Sequence, residues 1–435
     1  MAGFLASLIF ISAAANAAVQ ALDLKKAIEV ALENSPAIDS LRRELSISVL
    51  EERSATARLL PSLDFTATHG LSDSSPRTGS GPWASSFNLG LTENLYDNGV
   101  TITNRKVANL TRVRTEIEFR DQRDKLILEI SKQFLNFSLD TQLLELKEKQ
   151  FQLVKRQYEV ISKAYFNGMK TKKDFLRFKT QVNRAELDLL SARDSLVKAE
   201  KELLRLMGVG KTRTEEDDKI TFRPLALDKI ANDLVFTSVQ VNETYREHAW
   251  FRSGQIQKEI SALNADIVTR KTLPEWNLST GVSYGSSDYL GTGQSVSGNA
   301  VTSWNALLVV KYNFFDWGIR SRDREVAMQK KIIQENTVDA RFLSLKALLE
   351  NLLADVKREQ KSYVLAKELL SMEKSNFEYI EREYHSGKVQ YLDLTTGLSN
   401  LSDAQVKFYS AAAGLEATKL TLLYHQGKLY DEVRK

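Results

Sequence analysis

The chain contains no cysteine. That excludes a disulfide framework, a thiolate metal site and anchorage through a lipid-modified N-terminal cysteine. Long apolar runs are nearly as scarce. Beyond residue 18 no segment offers the roughly 18 uncharged apolar residues that a membrane-spanning helix needs, so a mature chain that crosses a bilayer must do so with strands. No lysine or arginine precedes Lys25, while residues 2–18 are apolar or small and run into Ala15-Asn16-Ala17, an A-x-A cleavage pattern. Residues 1–17 read as a secretory signal without the usual basic start; the alternative is a buried N-terminal helix. The four histidines, His69, His248, His385 and His425, fall in separate elements without metal-ligand spacing. With no phosphate-cradling glycine loop and no nucleophile elbow, neither catalysis nor a metal or other cofactor is expected. A formal net charge of +4 over 435 residues gives no reason to expect a nucleic-acid partner.

What is present is a repeat. Tyr96-Asp97-Asn98-Gly99 recurs as Phe315-Asp316-Trp317-Gly318, an offset of 219 residues (318 − 99). The same offset carries Tyr165-x-x-Gly168 onto Tyr384-x-x-Gly387, Asp174 onto Asp393 and Gly208 onto Gly427. Leu60-Pro61 matches Leu273-Pro274 at an offset of 213 (273 − 60), so the second copy carries six extra residues in a Gly/Ser-rich loop. Landmarks in one order at fixed offsets mark a tandem duplication.

Each copy reads as helix, strand, loop, strand, very long helix, turn, helix. Ser303 to Gly318 shows the strand signal best: Trp304, Ala306, Leu308, Val310, Tyr312 and Phe314 fall on one side of a period-two pattern, Asn305, Lys311 and Asn313 on the other. Leu63, Phe65 and Ala67 alternate with Asp64, Thr66 and Thr68, and Trp276, Leu278, Val282 and Tyr284 alternate with Asn277, Ser279 and Ser283. Phe87, Leu89 and Leu91 give the apolar face of the returning strand in the first copy, interrupted by Glu93 near its rim. Trp83, Trp276, Trp304 and Trp317 lie in or beside these strands, as interfacial aromatic girdles would. The loops Ser72 to Pro82 and Ser286 to Thr302 are rich in Gly, Ser, Asn and Asp.

Upstream of each hairpin, Leu22 to Leu60 is helical in pattern but broken at Asn34-Ser35-Pro36, whereas its counterpart, about Val239 to Leu273, lacks the proline. Downstream, Gly99 to about Phe166 contains no proline and scarcely a glycine, and the copy from Gly318 to His385 has the same length. Ile130, Phe134, Phe137, Leu144, Phe151, Tyr158, Ile161 and Tyr165 follow coiled-coil-like spacings of three, four and seven, as do Leu349, Leu353, Val356, Tyr363, Leu370, Phe377, Ile380 and Tyr384. The returning helices, Asp174 to Met207 and Asp393 to Gln426, carry thinner stripes that include alanines. The chain therefore divides into a signal (1–17), a helical segment (18–61), a β-hairpin (62–98), a long helical hairpin (99–208), a linker (209–238), and the second helical segment (239–273), β-hairpin (274–317) and helical hairpin (318–427), with a tail at 428–435.

Four strands cannot close a barrel, and an open edge in lipid leaves backbone groups unpaired at several kcal/mol each. Closure has to be shared between chains, and three chains supplying twelve strands are the simplest solution.

The ordered set of Leu-Pro strand entry, Tyr/Phe-Asp-x-Gly strand exit, Tyr-x-x-Gly-x5-Asp helix turn and duplication resembles the TolC family of outer-membrane efflux proteins over residues 20–427. The resemblance implies a mixed α and β membrane protein: a homotrimer whose four strands per chain complete a 12-stranded outer-membrane β-barrel, continuing into a long periplasmic α-helical barrel. It implies an exit duct whose helix tips, at Tyr165, Gly168, Tyr384 and Gly387, dock to a periplasmic adaptor and an inner-membrane pump. It also implies an entrance constriction at Asp393, Asp174 and Tyr384. Asp97, Gly99, Asp316 and Gly318 would form the barrel-to-tunnel junction. Val389 stands where the best-known member has a gating arginine, and Thr396 at a second acidic position, so the resemblance carries no ionic latch over to this chain. Both aspartates also suit helix capping. Drug efflux and type I protein secretion stay open as the duct's task. A periplasmic coiled-coil adaptor or structural protein is the alternative from another class; it accounts for the helices and not for two phase-matched hairpins.

Overall fold

The computed structural model describes residues 21–71, 83–209, 220–227, 241–286, 300–386 and 388–434. The signal at 1–17, the hairpin loops over 72–82 and 287–299, most of the linker and Gly387 lie outside the described residues.

The repeat is visible element by element. Helices α1 (Leu24–Asn34) and α2 (Pro36–Ala57) lead to strands β2 (Ser62–Leu71) and β3 (Trp83–Tyr96), then to helices α3 (Val100–Phe166) and α4 (Lys172–Leu206). In the second copy α5 (Val241–Glu247) and α6 (Ala249–Arg270) lead to β5 (Glu275–Ser286) and β6 (Ala300–Lys311), then to α7 (Ile319–His385) and α8 (Tyr391–His425), and α9 (Leu429–Arg434) follows. Two-residue strands β1 (Ala21–Leu22) and β4 (Thr221–Phe222) pair in parallel. The long helices have 67 residues each and the returning ones 35 each. At 1.5 Å per residue the former are about 100 Å long.

The helix break in the second copy departs from the sequence pattern. Without a proline the segment from Val239 to Leu273 reads as continuous, yet it divides at His248. The 213-residue offset maps Ser35 onto His248, so the break itself is repeated, and the imidazole does what Ser35-Pro36 does in the first copy. His248 leaves the helical conformation (φ −60°, ψ 138°), and its Nδ1 accepts the Trp250 amide at 3.1 Å. Burial pulls its pKa down to about 4. An unfolded chain takes up this proton near pH 6.5, so the stability contribution is complete above that pH and is lost as pH falls toward 4. We expect folding stability at pH 5 to fall by about 2 kcal/mol per chain relative to pH 7 from this group alone. His248→Asn, which can still cap, should flatten that part of the profile when thermal unfolding is followed across the range; an unchanged slope would remove His248 from the account.

The described residues form two units: 21–40, 121–209, 220–227, 241–245, 347–386 and 388–434, which hold the C-terminal parts of the long helices, and 41–71, 83–120, 246–286 and 300–346, which hold the hairpins. In the first unit the predicted seam of α3 is core: Ile130 and Phe134 are fully buried and Phe137 nearly so. Phe134, Phe137 and Phe222 meet edge to face with centroids 5.6 to 6.1 Å apart. The Ser138 hydroxyl accepts the Leu225 amide at 2.9 Å and donates to the Phe134 carbonyl, tying the β4 segment to the helix. The alanine stripe of α8 is likewise inside, with Ala404, Phe408, Ala411 and Leu415 buried. Small side chains there let helices approach closely.

The second unit carries one antiparallel four-stranded sheet in the order β2-β3-β5-β6. Its faces segregate as the alternation requires. Phe65 faces Leu89, Leu89 faces Val282, and Val282 faces Trp304, which makes one apolar row across four strands. On the other side Thr66 faces Asn88, Asn88 faces Ser283, and Ser283 faces Ser303. Glu93 stands opposite Leu278 on the apolar side, three residues before the end of β3. β6 is less clean than the pattern suggests, because Leu307 and Val309 lie on the otherwise polar side, opposite Ser279 and Asn277.

Candidate functional site

Each strand exit is a turn that starts a 67-residue helix, and Asp-x-Gly is the chemistry of that turn. Asp97 accepts the Gly99 amide on Oδ1 at 3.1 Å, and on Oδ2 it accepts the Thr101 amide at 2.7 Å together with the Thr101 hydroxyl. Asp316 does the same, taking the Gly318 amide at 3.1 Å and the Arg320 amide at 3.1 Å, with the Arg320 guanidinium at 2.6 Å. These carboxylates cap helix N-termini whose first amides lack intrahelical partners. To aim them, the chain bends through two consecutive left-handed residues: Asn98 and Gly99 at φ 59° and 80°, Trp317 and Gly318 at φ 54° and 79°. Glycine adopts that conformation freely and other residues rarely do, which explains the glycine in both copies.

The two turns are held differently. Arg270, at the end of α6, donates to the Asn98 carbonyl at 2.9 Å, and the Asn98 amide group donates to the Pro274 carbonyl at 2.8 Å, so the first copy's turn is clamped by the second copy's helix. At the second turn the Trp317 carbonyl is taken by Arg322 of its own helix at 2.9 Å. Sequence reading identified the Asp and Gly of each turn and missed Arg270, Arg320 and Arg322. A single arginine near a helix end carries no signal without the turn opposite it.

The C-terminal ends of α3 and α7 lead through turns into α4 and α8. At the first, the Met169 amide reaches the Ala164 carbonyl at 2.8 Å and the Gly168 amide the Tyr165 carbonyl at 3.0 Å, with Gly168 left-handed at φ 76°. This is a Schellman-type helix end. The Tyr165 ring stacks on Phe175 with centroids 4.8 Å apart, pinning the returning helix. Thr171 caps α4: its hydroxyl accepts the Asp174 amide at 3.2 Å and donates to Asp174 Oδ2 at 2.7 Å. That hydrogen bond holds the Asp174 carboxyl below its ordinary range. At the second tip the Asp393 carboxylate accepts the Gln390 amide at 3.0 Å, and the half-buried Tyr384 is the last residue but one of α7. Each aspartate is thus engaged within its own turn as a capping residue, with Asp393 exposed and Asp174 half-buried. The first turn also carries Lys170, Lys172, Lys173 and Arg177, where the second carries Lys388. Leu394, the counterpart of Phe175 at the 219 offset, is buried under the second tip.

Comparison with solved structures shows the same fold in several outer-membrane proteins. The outer membrane protein VceC from Vibrio cholerae matches with a TM-score of 0.76 at 17% identity, over 93% of this chain and 96% of that one. The Campylobacter jejuni CmeC outer membrane channel matches with a TM-score of 0.77 at 14% identity, over 95% and 89%. The Neisseria gonorrhoeae MtrE outer membrane channel, in its open state, matches with a TM-score of 0.75 at 19% identity, over 93% and 89%. No curated protein sequence matches the chain significantly. The family model for outer membrane efflux proteins matches residues 27–209 and 251–424, most of both repeats, and the chain belongs to the outer membrane efflux protein family.

Proposed function

We propose that three copies of this efflux protein build one duct through the outer membrane, with the sheets as barrel and the long helices as its periplasmic extension. The observation that carries this reading is the sheet: four strands of 10 to 14 residues, one apolar face, and edge strands β2 and β6 with no partner on their outer sides among the described residues. Such strands match the roughly 9 to 11 residues that cross a bilayer, and in lipid their edges must be paired. A coiled-coil adaptor would have no use for that face. The strand-to-helix turns at Asp97, Gly99, Asp316 and Gly318 are the junction between barrel and tunnel. The helix tips at Tyr165, Gly168, Tyr384 and Gly387 are the docking end for a periplasmic adaptor and an inner-membrane pump.

Threefold symmetry turns Asp174, Asp393 and Tyr384 into rings of three at the entrance. Closely set carboxylates focus a negative potential and favour cations. Asp393→Asn keeps a residue that can cap while removing the charge. In planar bilayers the cation-to-anion permeability ratio of the substituted pore should fall by roughly twofold or more. An unchanged ratio would leave Asp393 a capping residue alone. A purified protein that never raises bilayer conductance, with the tips intact or trimmed, would contradict the duct itself.

A further inference from the structure

The repeat relates not only the two hairpins but also the two edges of the sheet. Ser62 faces Thr92 in the first hairpin and Glu275 faces Lys311 in the second, so the offsets of 213 and 219 read from sequence superpose the hairpins strand for strand. The joint between repeats is the pairing of β3 with β5: Leu89 faces Val282, Leu91 faces Thr280, Glu93 faces Leu278, and the register shifts between Asn94 and Tyr96. Carrying β3 forward by 219 onto β6, and β5 back by 213 onto β2, converts this joint into a pairing of the two free edges. Leu91 opposite Thr280 becomes Val310 opposite Ala67, and Glu93 opposite Leu278 becomes Tyr312 opposite Phe65. One chain cannot make this contact, because its outer strands are three spacings of about 4.8 Å apart, or roughly 14 Å.

Resting on the shared-barrel reading above, we propose that β6 of one copy pairs antiparallel with β2 of the next in this register, Val310 against Ala67, with a bulge at Phe314. The sequence faces agree with it. Val310 and Tyr312 meet Ala67 and Phe65 on the apolar side, and Lys311 and Asn313 meet Thr66 and Asp64 on the polar side. A slip of one residue would set Val310 and Tyr312 against Thr66, Thr68 or Asp64.

Strand length agrees as well. β3 runs to Tyr96, and its last residues, beyond the Ser62–Thr92 pair, are held by β5 alone. Their counterparts Tyr312 to Phe315 follow the end of β6 at Lys311, with Phe314 and Phe315 87% and 69% exposed. In the joint these residues extend β6 and the bulge falls among them.

The turn beside the joint follows the same two offsets. At the internal joint Arg270 and Pro274 hold Asn98; the same offsets bring Ala57 and Pro61 of the next copy to Trp317. No arginine is supplied there, and none is required, because Arg322 already takes the Trp317 carbonyl. What the position offers is apolar: Trp317 is 80% and Leu60 69% exposed. The edge turn is satisfied within its own chain and presents a hydrophobic contact to its neighbour.

The natural absence of cysteine makes the register directly readable. In antiparallel strands directly opposed residues lie within disulfide range and diagonal ones at about 7–8 Å fall outside it. Oxidation of detergent-solubilised full chain carrying Ala67→Cys and Val310→Cys should give covalent trimer at least about fivefold more efficiently than Phe65→Cys or His69→Cys combined with Val310→Cys. His69→Cys with Leu308→Cys reports the same register independently, should one variant fail to assemble. Preferential linkage of an offset pair in a protein of three-chain mass overturns the register and leaves the trimer standing. A one-chain mass with no pair linking overturns both.

Discussion

Val282→Arg is expected to keep the protein from assembling in the outer membrane, while Ser283→Arg is expected to be tolerated there. Val282 faces Leu89 and Trp304 in the middle of the apolar row; Ser283, the next residue, faces Asn88 and Ser303 on the opposite side of the same strands. An arginine facing lipid near the bilayer midplane costs about 2–4 kcal/mol, and a symmetric barrel incurs that three times. On the lumen side the same charge keeps its water. Membrane fractionation and the yield of heat-stable oligomer measure the difference. Equal assembly of the two variants would mean that the apolar row does not face lipid.

The second large effect lies in the core of the other unit. Phe134 is fully buried and touches both Phe137 and Phe222, so Phe134→Ala empties a site walled by rings and helix. We expect a loss of about 3–5 kcal/mol per chain, read as a lowered unfolding midpoint in detergent. Leu353, its counterpart in the second copy, is only partly buried, and Leu353→Ala should cost distinctly less. A loss of similar size at both positions would mean that the two seams are packed alike in spite of the aromatic cluster on one of them.

That inequality shows where sequence was informative and where it was silent. Seam residues such as Phe134 and Val356 were legible because a period close to 3.5 over tens of residues has no other physical source. Strand faces were legible because alternation assigns every residue to a side once one is known. The Asp-x-Gly turns were legible as landmarks, but their mechanism, with the carboxylate on the first free amides of a helix, needed geometry. Three features were hidden. The two-residue strands β1 and β4 are too short to show any period. Leu307 and Val309 break the alternation of β6 on a side whose requirements the strand alone does not state. His248 breaks a helix without proline or glycine, and only the 213 offset to Ser35 could have pointed to it. The tips sit between these cases. Asp174 and Asp393 were found by repeat position, and the structure gives each a capping bond that is compatible with a ring of charge around an entrance.

The joint between copies extends the same reasoning past one chain. The internal pairing of β3 with β5 is a register that the protein already uses, so the edges of β6 and β2 inherit a template instead of an arbitrary contact. Arg270 at one turn and Arg322 at the other mark the difference between a joint closed during folding of the chain and a joint closed on assembly.

The central claim is that this chain is one third of a membrane barrel. The most direct test is the mass of the purified mature protein with and without detergent, by sedimentation corrected for bound detergent. The account predicts a species of three chains, each of at most the 49.2 kDa of the full sequence, that precipitates when detergent is withdrawn. A monomer that stays soluble without detergent would contradict it.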